Sequence, residues 1–204
     1  SISRQNLSIV IVTFKSEAVI HECIKSIDKD IKIIVVENSN NAQFKIELEQ
    51  TYNNVSCYLS HENLGMGRGN NFGIKKAETD YILILNPDVI LENTTINELI
   101  SSAQIILDYA IIAPLSSDKN FPNYKLDNQN KKITNKDFPF QVTSIDGFAM
   151  LFNKKRLDKI TQENYFDENF FMYLENDDLC KRIIDANEHI YIVPNSKIKH
   201  LGGK

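Results

Sequence analysis

The chain is poor in cysteine, and the cysteines it has do not pair. Cys23, Cys57 and Cys180 are odd in number and none belongs to a CxxC. That spacing gives neither a disulfide framework nor a thiolate metal knuckle. Cys23 and Cys180 fall in helical patterns and Cys57 in a strand pattern, so all three read as reduced core residues of a cytosolic protein. Basic charge is also scarce. Lys and Arg number 23 against 27 Asp and Glu, for a net charge of −4 and a pI near 5.6. This argues against a nucleic-acid partner held by phosphate contacts. The one three-residue basic run, Lys154, Lys155 and Arg156, reads as solvated surface. No signal peptide and no apolar run of membrane-spanning length is found. A start at Ser1 without methionine and an end just past Gly203 read as a trimmed chain, which leaves open an anchor outside it. No internal repeat, low-complexity tract, Ser/His/Asp triad pattern or reactive-cysteine context stands out.

Glycine is rationed too. All seven glycines fall in three stretches: NLGMGRGNNFG (Gly65, Gly67, Gly69, Gly73), SIDGFAM (Gly147) and KHLGGK (Gly202, Gly203). Glycine serves where backbone turns tightly or approaches a ligand closely, and each stretch lies near a group capable of chemistry. The first is no dinucleotide fingerprint, since it follows the third strand and reads GxGxGxxxG, and no P-loop, since no GK[ST] follows. It supplies Asn63, Arg68, Asn70 and Asn71 beside permissive backbone, and reads either as a nucleotide or phosphate contact or as a plain helix N-terminus.

What is present is alternation. Leu7–Phe14, Ile31–Asn38, Val55–His61 and Tyr81–Val89 are short apolar, β-branched runs of buried-strand type. Between them lie helical patterns. Ile20, Cys23, Ile24 and Ile27 mark one helix face, with Ser16 as its candidate cap. A weaker helix covers roughly Gln43–Thr51, and another runs from the glycine stretch to about Ala77. Thr95 and Glu98 form a capping-box pattern before a fourth helix. This predicts an α/β fold, a doubly wound, mostly parallel sheet with helices on both faces. In such sheets ligands bind beyond the C-terminal strand ends, where Thr13, Glu37, Asn38, Asn86 and Asp88 fall. Ser116–Asp137 is polar and reads as a surface excursion. Regularity returns with QVTSIDGFAMLFN, a helix from about Asn176 to Ala186, and the strand HIYIVP.

Three groups carry the chemistry, each with an ordinary alternative. Asp88, after Asn86-Pro87, projects where a ligand lies and suits a hard divalent cation on a diphosphate; Asn-Pro-Asp is also good turn chemistry. His200 completes a mixed N/O site for Mn²⁺ or Mg²⁺, or is a surface histidine. Glu175-Asn176-Asp177-Asp178 opens a helix. Acidic residues there stabilise the helix dipole by about 0.3–1 kcal/mol each, or one of them is a general base. Tyr165, Phe166, Phe170, Phe171 and Tyr173 crowd that approach, where they would desolvate a carboxylate and stack on a sugar ring.

Taken in order, SIVIVTF, IIVVEN, NLGMGRGNNFGI, YILILNPDV, IDGFAMLF, FDENFFMYLENDDLCKRI and IKHLGG resemble the family 2 inverting glycosyltransferases of GT-A fold, nearest the rhamnosyltransferase-like branch. The resemblance spans nearly the whole chain. It implies a single domain over 1–204, with a nucleotide-binding half over about 1–115, an acceptor and catalytic half over about 138–204, and truncation at the C-terminus. It also implies a nucleotide-sugar donor, dTDP-rhamnose or a UDP-sugar. The acceptor would be a growing bacterial surface polysaccharide or a lipid-linked glycan, at the inner face of the cell membrane. Thr13, Glu37 and Asn38 would face base and ribose, assisted by Asn63 and Arg68. Asn86-Pro87-Asp88 takes the place of DxD, Asp88 and His200 hold the metal, and Asp146 and Gly147 face the donor sugar and acceptor. The chain departs from the family pattern at Glu37, often Asp in relatives, at Asn86, the first Asp of DxD, and at Asn176, often an acid taken as the base. An amide accepts no proton near neutral pH, so the base role passes to Glu175, with Asp177 and Asp178 behind it. Two other readings stand beside this one. A non-catalytic glycan- or nucleotide-binding module is consistent with Asn86 and Asn176. A sugar nucleotidyltransferase would carry a glycine- and Arg/Lys-rich loop where TFKSEA stands.

Overall fold

The computed structural model describes residues 1–127, 137–169 and 175–202. The apolar runs form the strands β1 (Leu7–Thr13), β2 (Lys32–Glu37), β3 (Val55–Leu59) and β4 (Tyr81–Leu85). These pair in parallel in the spatial order β3-β2-β1-β4. The helices α1 (Ile20–Lys25), α2 (Ala42–Thr51) and α3 (Gly65–Lys76) connect them. Then come β5 (Val89–Leu91), α4 (Thr95–Ile106), β6 (Ile111–Ser116), β7 (Tyr124–Lys125), β8 (Phe140–Val142), β9 (Ser144–Ile145), β10 (Ala149–Asn153), α5 (Lys154–Thr161), α6 (Glu175–Asp185) and β11 (Ile190–His200).

The sheet continues past β4 as β10-β6-β11-β5, with β8 also on β11, and one sheet therefore runs through both halves of the chain. β10 is antiparallel to both β4 and β6, while β6 and β11 are parallel. Strand alternation divides the core. Ile9, Ile11, Ile33, Val35, Leu83 and Leu85 point to the face covered by α1, α2 and α4. Val10, Val12, Ile34, Val36, Ile82 and Ile84 point to the face covered by α3, α5 and α6. Each such fully buried side chain contributes about 1.5–3 kcal/mol of transfer free energy, which is why both faces keep their helices.

Several local expectations are corrected. The glycine stretch does not precede its helix but is its body, because Gly69 and Gly73 bring α3 down onto β1. A Cβ at Gly69 would lie 2.8 Å from Val12, and one at Gly73 2.4 Å from Val10. Close packing outweighs the usual helix penalty of glycine, about 1 kcal/mol. Ser16 caps no helix: its hydroxyl accepts from the Phe14 N–H, and α1 starts at Ile20 without a side-chain cap. The Thr95–Glu98 capping box does not form. Thr95 is fully buried, accepting from the Glu92 N–H and donating to the Lys197 carbonyl. The basic run at 154–156 opens α5.

Candidate active site

A cavity of about 720 Å³ opens at the C-terminal edge of the parallel strands. Its walls come from the first turns of α3, the end of β4, the 116–125 segment, the turn before β10, the start of α6 and the end of β11. The 116–125 segment is therefore more than a surface excursion. Ser116, Asp118, Phe121 and Lys125 line the cavity, and buried Asn123 locks the wall through hydrogen bonds with Ser116 N–H (2.9 Å) and the Pro114 carbonyl (2.8 Å). The Asn123 carbonyl in turn accepts from Asp146 N–H at 2.9 Å.

Asp88 and His200 are brought together by strand register. β5 and β11 pair antiparallel with His200 opposite Val89, one residue from Asp88. His200 Nε2 lies 3.2 Å from Asp88 Oδ1, and the imidazole stacks on Phe148 with centroids 4.2 Å apart and planes 10° from parallel. Asp88 Oδ1 is buried and has no hydrogen-bond partner among the described residues. Gly202 folds over the pair, and a Cβ there would sit 2.2 Å from Asp88 Oδ2. Among the described residues no group of three or more His, Cys, Asp or Glu is disposed to hold a metal.

At the start of α6, Glu175, Asn176 and Asp177 line the cavity. Glu175 Oε2 is buried without a hydrogen-bond partner among the described residues. Its side chain lies beside Gly67, where a Cβ would be 3.4 Å from Glu175 Cγ. Asn176 donates to the Ile145 carbonyl at 3.1 Å and packs on Gly147, so the amide braces the Asp146–Gly147 turn. Asp146 lines the cavity. Partial burial raises its pKa; Asp177 adds to the rise, and Lys125 and His200 oppose it. Asp178 does not line the cavity. It holds Arg182 (3.0 Å), which donates to the Asn164 and Tyr165 carbonyls.

The expected base- and ribose-facing residues divide. Asn63, Arg68 and Asn86 line the cavity; Thr13, Glu37 and Asn38 lie behind it, fully or almost fully buried. Glu37 Oε2 accepts from Asn41 N–H at 2.7 Å, and Oε1 from the Ser39 hydroxyl (2.6 Å), Ser39 N–H (3.2 Å) and the Thr13 hydroxyl (3.3 Å). Asn38 donates to the Gly65 carbonyl, tying β2 to α3. Tyr165 and Phe166 are buried and pack on Phe152, and Phe166 also lines the cavity; Phe170, Phe171 and Tyr173 lie outside the described residues. All three cysteines are buried and free, and burial pushes the thiols up to about 12 (Cys23), 12 (Cys57) and 11 (Cys180). The sequence reading missed Phe148 and Gly202 as the supports of His200. Their signal was adjacency to residues already singled out.

The model of the family described as Glycosyl transferase family 2 matches residues 8–177. Rhamnosyltransferase WbbL of Escherichia coli (strain K12) is 28% identical over 214 residues, covering 91% of this chain and 80% of its own length. Low-salt glycan biosynthesis hexosyltransferase Agl10 of Haloferax volcanii is 27% identical over 209 residues, covering 91% of this chain and 64% of its own. Among solved structures, GalNAc-T7 with UDP, GalNAc and Mn²⁺ superposes with a TM-score of 0.79 at 15% identity, over 96% of this chain and 43% of that one. Staphylococcus aureus TarS superposes with a TM-score of 0.67 at 16% identity, over 96% of this chain and 60% of that one. At these identities the likeness is one of fold, and the fold is GT-A, α/β with a mixed central sheet flanked by helices.

Proposed function

The chain belongs to glycosyl transferase family 2, and from that premise we propose that its cavity transfers a sugar from a nucleotide-diphosphate donor to a glycan hydroxyl, with inversion. The observation that carries this reading is one cavity lined both by His200, which pairs with Asp88, and by Glu175, whose buried oxygen has no hydrogen-bond partner among the described residues. The likeness to a rhamnosyltransferase favours dTDP-rhamnose or a UDP-sugar, with a bacterial surface polysaccharide or lipid-linked glycan as acceptor. The reading places the enzyme in the cytoplasm, at the inner face of the cell membrane. The association proposed is a peripheral one; among the described residues no helix is long and apolar enough to cross a membrane.

The residues present fit a divalent cation. Asp88 offers a buried oxygen with no hydrogen-bond partner among the described residues, His200 a nitrogen beside it, and Gly202 leaves the space a side chain would fill. Such an N/O pair suits Mn²⁺ or Mg²⁺. A cation held there neutralises charge on the departing diphosphate. Phe148 fixes the His200 ring, and Asn63, Arg68 and Asn86 line the path for nucleotide and phosphates. Thr13, Glu37 and Asn38 hold the strand ends behind them. Asp146 and Gly147 face the sugar, braced by Asn176. Glu175 takes the proton of the acceptor hydroxyl as its oxygen attacks the anomeric carbon and the bond to the diphosphate breaks. The proton ends on Glu175 and the electron pair on the diphosphate. Asp177, beside it, keeps the pocket acidic.

Asn86 and Asn176 favour a second reading, a binding module without turnover. The brace role of Asn176 accounts for one of the two amides without loss of function. The test is a thermal-shift titration with dTDP, UDP, GDP and CMP, with and without Mn²⁺. A ligand that binds only the folded state raises the melting temperature. The expected result is a Mn²⁺-dependent rise with dTDP or UDP. No rise with any of the four would sink the transferase reading, and binding without turnover of the matching nucleotide sugar would support the module.

A further inference from the structure

Asn70 and Asn71 are adjacent amides on one buried helix turn, and their partners differ. α3 sits close on β1 because Gly69 and Gly73 carry no side chains, and this closeness buries both asparagines to 5% and 3% exposure. Asn71 is satisfied at both ends. Its Nδ2 donates to the Phe166 carbonyl at 2.7 Å and its Oδ1 accepts from Phe166 N–H at 3.0 Å. That clamp spans 95 residues and ties Phe166 to α3. Asn70 lines the cavity, and its Oδ1 is buried with no hydrogen-bond partner among the described residues. Native proteins rarely leave such an atom unpaired, and an amide oxygen needs a donor.

The surroundings say which kind. Glu175 Oε2 is a second buried acceptor with no partner among the described residues, and it lines the same cavity, as do the Asp146 and Asp177 carboxylates and the Arg68 and Lys125 cations. A buried amide oxygen bonds no phosphate oxygen, which has no proton to give, and suits an O–H donor. We propose that Asn70 is a specificity-determining residue whose Oδ1 accepts a hydrogen bond from a sugar hydroxyl of the donor substrate, on the ribose or on the transferred sugar. The inference rests on the nucleotide-sugar reading above and adds a residue and a polarity to it.

The test is isothermal titration of wild type, Asn70→Ala and Asn70→Asp with UDP, dTDP, UDP-glucose and dTDP-rhamnose, all with Mn²⁺. Loss of one hydrogen bond to a buried acceptor corresponds to roughly tenfold weaker binding for Asn70→Ala. Asn70→Asp keeps an acceptor in place and stays within about threefold of wild type. A loss already present with the free diphosphates assigns the hydroxyl to the ribose; a loss only with the sugar attached assigns it to the transferred sugar. An unchanged Asn70→Ala overturns the proposal. So does an Asn70→Asp loss as large as that of alanine, because the amide would then be donating N–H to phosphate. Wild type that binds none of the four overturns the transferase reading and this inference together; wild type that binds while Asn70→Ala matches it overturns this inference alone. Unliganded melting curves confirm that each variant is folded.

Discussion

Glu37 and Glu175 stand at the same edge of the sheet in opposite states. Glu37 closes β2, is fully buried, and accepts four hydrogen bonds from the loop after its own strand and from Thr13. Glu175 opens α6, lines the cavity, and has one buried oxygen with no partner among the described residues. A carboxylate saturated by the fold holds structure, whereas one left partly unsatisfied can accept a proton from something that arrives. The type of residue is the same in the two cases, one at the end of a strand and the other at the start of a helix. The hydrogen-bond inventory is what separates their chemistry.

The largest effect that would sharpen this contrast is expected at Glu175. Glu175→Gln keeps the size and removes the proton acceptor, so turnover should fall by about 10²–10⁴. Binding of the nucleoside diphosphate should be nearly unchanged. Single-turnover rates alongside titration separate the two quantities. A variant that turns over like wild type removes Glu175 as the base and dissolves the contrast.

Glu37 should give the mirror result. Glu37→Ala strands two backbone N–H groups and two hydroxyls, and each buried donor left unpaired costs about 1–3 kcal/mol. Chemical denaturation should show a loss of about 3 kcal/mol, with nucleotide affinity of the folded protein held within about threefold. If instead stability holds and affinity drops tenfold or more, Glu37 reaches the ligand and the two carboxylates are alike.

How much of this was legible in the sequence varies along the chain. The parallel block was readable because both faces of those strands are buried, which writes them as unbroken apolar runs. β10 could be seen as a strand, but not its place between β4 and β6, because that pairing joins segments far apart in sequence and leaves no local mark. The glycine stretch misled for a physical reason: glycine is a poor helix former in isolation, and only contact with Val10 and Val12 makes its missing side chains an advantage. Asp88 was singled out as a carboxylate at a strand end and His200 as a histidine beside the last glycine stretch. The β5–β11 register is what sets them side by side. The partition of the acidic cluster was not legible, since whether a carboxylate faces a cavity or an arginine depends on the helix rotation and on what packs against it.

That partition supplies the smallest and most discriminating change. Asp178 shares the first turn of α6 with Glu175 yet turns to Arg182, four residues on, with both side chains mostly covered (22% and 28% exposed). Arg182 in turn grips the carbonyls of Asn164 and Tyr165. Asp178→Asn weakens one partly exposed ion pair, worth about 0.3–1 kcal/mol, and leaves an amide oxygen that can still accept from the guanidinium. Stability should therefore drop by no more than about 1 kcal/mol, and turnover should stay within about threefold of wild type. A drop in turnover as deep as that of Glu175→Gln, at unchanged stability, would mean that the helix turns Asp178 into the cavity when substrate binds. Because the two substitutions differ only in which side of one helical turn they touch, the ratio of their turnover losses measures how far the unpartnered oxygen, rather than acidity at the helix start, carries the chemistry.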